Sequence, residues 1–238
     1  MTVLDPALRS SNVGRRNMRA VAGAVGRAVL GRPAIIYRAP GRPAAVALTF
    51  DDGPSVWTLR IAQALEAHDC RGTFFLLGAA VQRDPEAVAA LAGAGHELGS
   101  HLWSHADPQR QGVRTIKQEV DRAAAAIVEA SGARPAPVRP PYCGAPAKVA
   151  RAASRGRARL VVLRSVDPAD WSLGSANEIY ERVLSAVGPG DIICLHDGIP
   201  ADSRGTATRA PTAEAVERLV PALLERDLRP VTVSELLG

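Results

Sequence analysis

The chain has 238 residues, of which 47% are hydrophobic, so it is long enough for a single domain with a sizeable core. Its 29 basic and 24 acidic residues give a net charge of +5. The arginines are scattered along the chain and form no cluster, and no nucleic-acid-binding motif accompanies them. The three cysteines, Cys70, Cys143 and Cys194, lack C-x-x-C spacing, which argues against a disulfide framework or a thiolate zinc site.

Residues 1–42 are predicted to form an N-terminal extension that is helical or partly disordered. Their mildly apolar segment, residues 20–30, is interrupted by Arg27, whereas a secretory signal needs an unbroken apolar stretch of about 7 to 15 residues. No stretch approaches the roughly 18 apolar residues of a membrane span. We therefore expect a cytoplasmic protein without a membrane span, with an extracellular location as the alternative.

Residues 43–238 alternate short apolar runs with longer periodic ones, which is typical of a parallel sheet wrapped by helices. The predicted strands are residues 45–50, 73–77, 97–100, 138–139, 160–163, 192–195 and 229–232. The predicted helices are residues 56–67, 85–94, 115–131, 147–155, 176–187 and 212–225. About seven such units imply a barrel, or a sheet almost closed into one, with functional residues at the carboxyl ends of the strands.

Two neighbouring carboxylates, Asp51 and Asp52, end the first predicted strand in the sequence TFDDGP. They repel each other unless a cation, a donor or a proton intervenes. His101 and His105, in the sequence HLWSH, follow the third strand and would share one face of a helical turn. This spacing is weak evidence alone. Two histidines and an aspartate at neighbouring strand ends, however, match a facial metal triad with open positions, leaving the second carboxylate free as a base.

Three further strand ends carry polar groups. Arg139 begins RPPYCG, where a guanidinium can orient a carboxylate. The sequence DPADW places carboxylates beside Trp171, and IICLHD ends a buried strand with His196, where a histidine held by an aspartate is a common general acid. Each has an ordinary structural alternative, such as a surface ion pair for Arg139, but their joint occurrence favours a catalytic site.

The ordered sequences TFDDGP, HLWSH, RPPY, DPADW and IICLHD resemble the five motifs of the polysaccharide deacetylases, carbohydrate esterase family four, with its NodB-homology domain. The segments GTFFLLGAAV and AGHELGSHLWSH are also similar, and the resemblance extends from about residue 45 to the C-terminus. It implies an α/β fold, a distorted (β/α) barrel of about seven parallel strands. It also implies a divalent metal, usually zinc with cobalt, nickel or manganese as alternatives, held by Asp52, His101 and His105.

The same resemblance implies the roles of the remaining groups. Asp51 would be the catalytic base oriented by Arg139, and Asp170 would tune His196 as the general acid. The residues implied to contact substrate are Tyr142, through its backbone N–H, Pro141, Trp171 and Leu195, the last two around the acetyl methyl group.

Two positions depart from the family pattern. Leu102 replaces the usual Ser or Thr after the first metal histidine and cannot brace the loop by hydrogen bonding, so weaker metal binding is expected. Cys143 replaces the usual Gly after RPPY, and a role as a small core residue is expected in preference to a pocket wall.

The favoured function is metal-dependent removal of an N-acetyl group from a carbohydrate or amino-sugar substrate. The alternatives are an O-acetyl esterase and a deacylase acting on a small biosynthetic intermediate; three Trp, three Tyr and three Phe offer few stacking platforms for a long glycan. A non-haem iron oxygenase is disfavoured because Asp52 lies far upstream of the histidines. An inactive glycan-binding module is disfavoured because Asp51 and His196 are both present. The oligomeric state is not predicted.

Overall fold

The computed structural model describes residues 34–39, 44–135, 137–153, 160–203 and 205–238. The strands among these residues are β1 (Ala34–Ile36), β2 (Ala45–Asp51), β3 (Thr73–Leu76), β4 (Glu97–Ser100), β5 (Pro137–Val138), β6 (Leu160–Val162), β7 (Ile192–His196) and β8 (Arg229–Val231). The α-helices are α1 (Thr58–Glu66), α2 (Gly78–Val81), α3 (Pro85–Gly93), α4 (Val113–Ser131), α5 (Pro146–Ala153), α6 (Ala176–Ala186), α7 (Ala210–Leu224) and α8 (Val233–Leu237). Short 3-10 turns occupy Pro108–Arg110, Pro141–Cys143 and Asp170–Ser172.

The strands form one parallel sheet in the order β1-β6-β5-β4-β3-β2-β7, with β8 also paired to β2. Two isolated bridges show that the ends of this order approach each other. Arg38, just after β1, pairs with Asp191, just before β7, and Val166, after β6, pairs with Ile193 in β7. The sheet is therefore curled into a distorted barrel, as predicted. Such a sheet gathers the carboxyl ends of its strands on one rim, which is where the polar motifs lie.

Strand β2 is buried and pairs with three other strands, β3, β7 and β8. Its residues from Val46 to Phe50 are fully buried, as expected for a parallel strand covered on both faces. Phe50 stacks on Phe74 of β3 with ring centroids 4.9 Å apart, and apolar residues of α1, α6 and α7 pack in the same core. The Asp84 carboxylate caps α3 by accepting a hydrogen bond from the Ala87 N–H at 3.1 Å.

The predicted strands and helices are confirmed, with ends that agree within two residues wherever the structure describes them. Among the described residues, one strand and two α-helices were not predicted: β1, α2 and α8. Strand β1 lies inside the predicted N-terminal extension yet pairs with β6, so this segment supplies part of the sheet. Residues 1–33 and 40–42 of that extension, and residues 154–155 of a predicted helix, lie outside the described residues. The domain boundary after residue 42 stays a prediction.

None of the helices in the described part of the chain is both long and apolar enough to cross a membrane.

Candidate active site

The predicted catalytic residues meet at the carboxyl rim of the curled sheet. Asp51 ends β2 directly beside His196, the last residue of β7, and these two residues are register partners. His101 follows β4, and Arg139 follows β5, its backbone N–H donating to the Ser100 carbonyl at 2.9 Å. Four separate stretches of sequence are thus brought to one place by parallel strand pairing.

Asp52 leaves the strand in a left-handed conformation, and its carboxylate faces the same imidazole as that of Asp51: Nε2 of His101 lies 3.4 Å from Asp52 Oδ1 and 4.0 Å from Asp51 Oδ2. The φ of Asp52 is 79°, and its N–H donates to the Phe75 carbonyl at 3.2 Å. The turn is tightly packed: a Cβ on Gly198 would lie 2.1 Å from the Asp52 carbonyl oxygen, and one on Gly53 would meet a carboxylate oxygen of Asp197 at 2.2 Å. Only glycine fits at these two crossings, which fixes the direction of the second carboxylate.

The side chains of Asp52, His101 and His105 converge in a buried cluster. Asp52 Oδ1 lies 3.4 Å from Nε2 of His101 and 3.3 Å from Nε2 of His105. One potential ligand atom from each residue lies within 4.8 Å of the others. One oxygen and two imidazole nitrogens on three sides of a point form the donor set of a divalent metal site with open positions.

Two properties of this cluster fit a bound cation. Asp52 Oδ1 is buried and has no hydrogen-bond partner among the described residues. Burial, joined by the neighbouring charge of Asp51, raises the pKa of Asp52 to about 8. A buried carboxylate of this kind takes up a proton or a cation. The residues present therefore fit a divalent metal ion.

Both histidines are oriented through Nδ1, which leaves Nε2 aimed at Asp52. His101 Nδ1 lies 2.8 Å from the Arg139 carbonyl oxygen, and His105 Nδ1 lies 3.0 Å from Oδ1 of Asp202. Burial lowers the pKa of His101 to about 3 and also lowers that of His105. Neutral imidazoles with a lone pair on Nε2 are the form that ligates metals.

Arg139 is completely buried behind the site and holds Asp51. Its Nη1 donates to Asp51 Oδ1 at 2.8 Å and to Thr49 Oγ1 at 2.7 Å, while Nη2 donates to the Leu163 carbonyl at 2.8 Å. The guanidinium also lies over the Phe75 ring, 4.1 Å from its centroid. The alternative of a surface ion pair for Arg139 is wrong.

The Arg139 charge decides the ionisation of Asp51. Burial alone would raise the pKa of this carboxylate, but the attraction of Arg139, with that of His101 and His196, lowers the pKa to about 2. Asp51 is therefore ionised at neutral pH. Asp52 beside it is mostly protonated at neutral pH unless a cation is bound to it. The two adjacent acids differ in protonation because, among the described residues, Asp51 has a guanidinium at ion-pair distance and Asp52 has none.

His196 is paired with Asp170. The imidazole Nδ1 lies 2.7 Å from Asp170 Oδ1, while Oδ2 accepts the His196 backbone N–H at 2.9 Å and the Thr212 hydroxyl at 2.8 Å. Burial opposes the imidazolium, but the Asp170 charge and hydrogen bond outweigh it and raise the pKa of His196 to about 9. His196 is consequently protonated at neutral pH.

A pocket of about 780 Å³ opens onto these groups. Tyr142 and Trp171, two of the predicted substrate contacts, line it and are partly exposed. Two others are not brought to its wall: Pro141 is buried, and Leu195 is fully buried in the core. Side chains alternate along β7, so Leu195 points away from the face that carries His196, and Cys194 lines the pocket in its place.

The loop that carries the two histidines is braced despite Leu102. This side chain is fully buried against residues of α4, β5 and α5. Glu119 on α4 accepts hydrogen bonds from the backbone N–H groups of Trp103 at 3.2 Å and Ser104 at 2.9 Å, and from the Ser104 hydroxyl. Apolar packing of Leu102 and the Glu119 carboxylate thus hold the loop in place of the hydroxyl that Leu102 lacks.

Cys143 lines the pocket beside the Arg164 guanidinium and also packs against the core cluster that contains Leu102, so it fills both of the roles considered for it. Burial raises the pKa of this thiol, which keeps it uncharged. Tyr142 and Cys143 both have left-handed backbone conformations, with φ of 58° and 50°. Six of the ten described non-glycine residues with positive φ lie in the quoted motifs: Asp52, Leu102, His105, Tyr142, Cys143 and Ala169. Backbone strain of this kind concentrates at functional sites.

The site also contains residues that the sequence analysis did not single out. They are Asp202, Thr212, Cys194, Glu119 and the buried Arg209, whose Nε donates to the Gly198 carbonyl at 2.9 Å. The segment between β7 and α7 contributes Pro200 and Asp202 to the pocket wall. Nothing in the local sequence marks which of its polar residues faces inward.

Comparison with known proteins agrees with this geometry. The sequence model described as polysaccharide deacetylase matches residues 38–161, just over half of the chain. A chitooligosaccharide deacetylase of Sinorhizobium fredii is 36% identical over 76% of this chain and 86% of its own length. A peptidoglycan-N-acetylmuramic acid deacetylase of Bacillus subtilis, PdaC, is 33% identical over 80% of this chain, which spans only 38% of that protein.

Solved structures give the same result. The peptidoglycan N-acetylglucosamine deacetylase Bc1960, in complex with 4-naphthalen-1-yl-N-oxidanyl-benzamide, superposes with a TM-score of 0.77 at 29% identity, covering 85% of this chain and 92% of that chain. A mutant of BA3943, a CE4 family pseudoenzyme with restored activity, also gives a TM-score of 0.77, at 25% identity over 87% and 72% of the two chains. This chain belongs to the polysaccharide deacetylase family.

Proposed function

We propose that the protein is a metal-dependent hydrolase that removes the N-acetyl group of an amino sugar, releasing acetate and a free amine. The observation that carries the proposal is the convergence of the Asp52, His101 and His105 donor set with an ionised Asp51 and a protonated His196 around one pocket. The similarity to deacetylases of chitooligosaccharides and of peptidoglycan supports an acetylated amino sugar as substrate.

Asp52, His101 and His105 would hold the divalent ion. Two imidazole nitrogens and one carboxylate oxygen favour zinc, with cobalt, nickel and manganese as competitors to be tested. When bound, such an ion polarises the amide carbonyl and lowers the pKa of water to about 7. The remaining chemistry falls to the side chains of this chain.

Asp51 is placed to act as the base that takes a proton from the attacking water. Arg139 keeps it ionised and fixes its orientation through a hydrogen bond of 2.8 Å. A base with a low pKa accepts a proton only from an activated water, so Asp51 depends on the neighbouring cation site for turnover. This dependence agrees with the adjacency of the two aspartates in the sequence.

His196 is placed to act as the general acid. Collapse of the tetrahedral intermediate expels an amine, which is a poor leaving group until its nitrogen is protonated. The Asp170 carboxylate keeps the imidazole protonated and oriented. The backbone N–H of Tyr142 would donate to the developing oxyanion, and Cys194 and Trp171 would contact the acetyl group and the sugar.

Two aromatic side chains at the pocket rim are exposed enough to contact a sugar. Tyr142 is 57% exposed and Trp171 41% exposed, so each offers a free ring face to a sugar despite the low aromatic content of the chain. We propose an oligosaccharide or a smaller amino-sugar derivative as substrate. The cytoplasmic location expected from the sequence stays a prediction.

The experiment is acetate release from N-acetylglucosamine, chitooligomers, peptidoglycan fragments and acetylated xylan, by metal-free protein and after addition of Zn²⁺, Co²⁺, Ni²⁺ or Mn²⁺. The proposal expects release from an acetamido sugar that a chelator abolishes and Asp51→Asn prevents. Release from acetylated xylan alone would instead identify an O-acetyl esterase. Metal binding without release from any acetylated substrate would favour the inactive glycan-binding module.

A further inference from the structure

The two histidines of the proposed metal site are held in different ways. The Nδ1 of His101 is hydrogen-bonded to the backbone carbonyl of Arg139. The backbone of Arg139 is itself held by pairing with Ser100 of β4, so the orientation of this ring is fixed by the backbone of the sheet. The Nδ1 of His105 meets a side chain, the carboxylate of Asp202, which lies 97 residues further along the chain. His105 therefore depends on a single side chain in the segment that follows β7.

Asp202 makes a second contact with its other oxygen. Its Oδ2 accepts the Tyr142 hydroxyl at 2.5 Å, and the Tyr142 ring packs edge-on against the His105 ring with centroids 4.8 Å apart. One carboxylate thus joins a proposed metal ligand to the aromatic side chain at the pocket rim. The Asp202 side chain is 49% exposed, so both bonds form at the boundary between pocket and solvent.

We propose that Asp202 is a positioning residue that holds His105 in the orientation and tautomer needed for cation binding, and that holds Tyr142 at the pocket rim. A carboxylate that accepts the Nδ1 proton leaves the lone pair on Nε2, the atom 3.3 Å from Asp52 Oδ1, and increases its basicity. The inference rests on the metal site of the proposed function. It adds that the segment between β7 and α7 contributes to metal affinity.

The test measures zinc affinity directly, by competition with a chromophoric chelator, on purified metal-free protein. Asp202→Ala should weaken zinc binding by about 10-fold to 100-fold, the usual effect of losing such a partner. Asp202→Asn keeps an acceptor oxygen for the Nδ1 proton and should recover part of that loss. Tyr142→Phe removes only the hydroxyl contact and should stay within about twofold of wild type, because the His105 bond is retained.

A matched control separates positioning from general electrostatics. Asp167 lines the same pocket and pairs with Arg164 at 2.6 Å, without a contact to either histidine. Asp167→Ala removes the same charge and should retain zinc affinity. Equal losses in the two alanine variants, or an Asp202→Ala protein that binds zinc like wild type, would overturn the inference while leaving the metal site intact. Wild-type protein that fails to bind zinc would overturn the metal site, and this inference with it.

Discussion

Asp170 contacts His196 twice, through the imidazole Nδ1 at 2.7 Å and through the backbone N–H at 2.9 Å, so one carboxylate fixes both the ring and the end of β7. It is also the main reason that the pKa of His196 is raised to about 9 against the effect of burial. A general acid acts in its protonated form. Activity that depends on His196 should therefore persist at neutral pH and fall as the pH rises through about 9.

Asp170→Asn should move this basic limb to lower pH. Without the carboxylate charge, the lowering effect of burial is opposed only by the charges of Asp52 and Asp51, which contribute less than Asp170, so the pKa of His196 should fall. The measurement is the pH dependence of kcat/KM, in which the basic limb should shift from about 9 to lower pH. Thr212→Val removes only the hydroxyl contact to Asp170 and should leave the limb close to that of wild type. An unshifted limb in Asp170→Asn would reject His196 as the general acid.

Asp51→Asn should retain the metal and lose turnover. The amide is close in shape to the carboxylate but cannot accept the proton from water, and loss of such a base costs about 10²-fold to 10⁴-fold. Metal content by elemental analysis and kcat on an accepted substrate are the two measurements. Asp121→Asn, which alters a surface aspartate paired with Lys117, is the control and should match wild type. A fully active Asp51→Asn protein would show that Asp51 is not the base.

His101→Ala should abolish tight zinc binding. Removal of one of three protein ligands leaves Asp52 and His105, which cannot form the facial set. Stoichiometry after dialysis against a weak chelator checks this, with His68→Ala as the control, since His68 is exposed outside the site. Tight binding of one zinc ion per chain by the His101 variant would exclude the proposed ligand set.

Leu102→Ala should destabilise the fold as well as the site. Its side chain is fully buried among apolar residues, and truncation of such a leucine costs about 2 to 5 kcal/mol. Denaturant unfolding of the metal-free protein measures this without a contribution from the ion. Leu59→Ala, at a position 39% exposed on α1, should cost much less. Similar losses for the two variants would show that Leu102 does not anchor the histidine loop.

Much of the fold follows from local sequence patterns. The buried runs of β2 and β7 and the periodic helices between strands are strong signals, and the polar motifs fall at strand ends, where parallel pairing brings them together. Strand β1 was missed because it lies in the segment assigned to the N-terminal extension, before the alternation of strands and helices begins. The histidine-aspartate cluster could be anticipated because its motifs follow predicted strands, and parallel pairing brings the ends of those strands to one rim.

The residues that orient the site could not be anticipated in this way. Asp202 reaches His105 across 97 residues from a segment with no repeating pattern, and Thr212 reaches Asp170 across 42 residues from the first turn of α7. Their inward direction is set by tertiary packing, which a single sequence does not display. The assignment of Leu195 to the pocket failed for a different reason: alternation along β7 already placed Cys194, two positions before His196, on the shared face.

The left-handed residues of the motifs have a consequence for protein engineering. Positive φ at a residue such as Tyr142 or His105 costs about 1 to 3 kcal/mol, which the rest of the molecule must offset. Selection for heat resistance alone should therefore favour glycine or asparagine at these sites and erode turnover while the melting temperature rises. Variants improved in both respects should instead carry their changes in the helices, away from the rim.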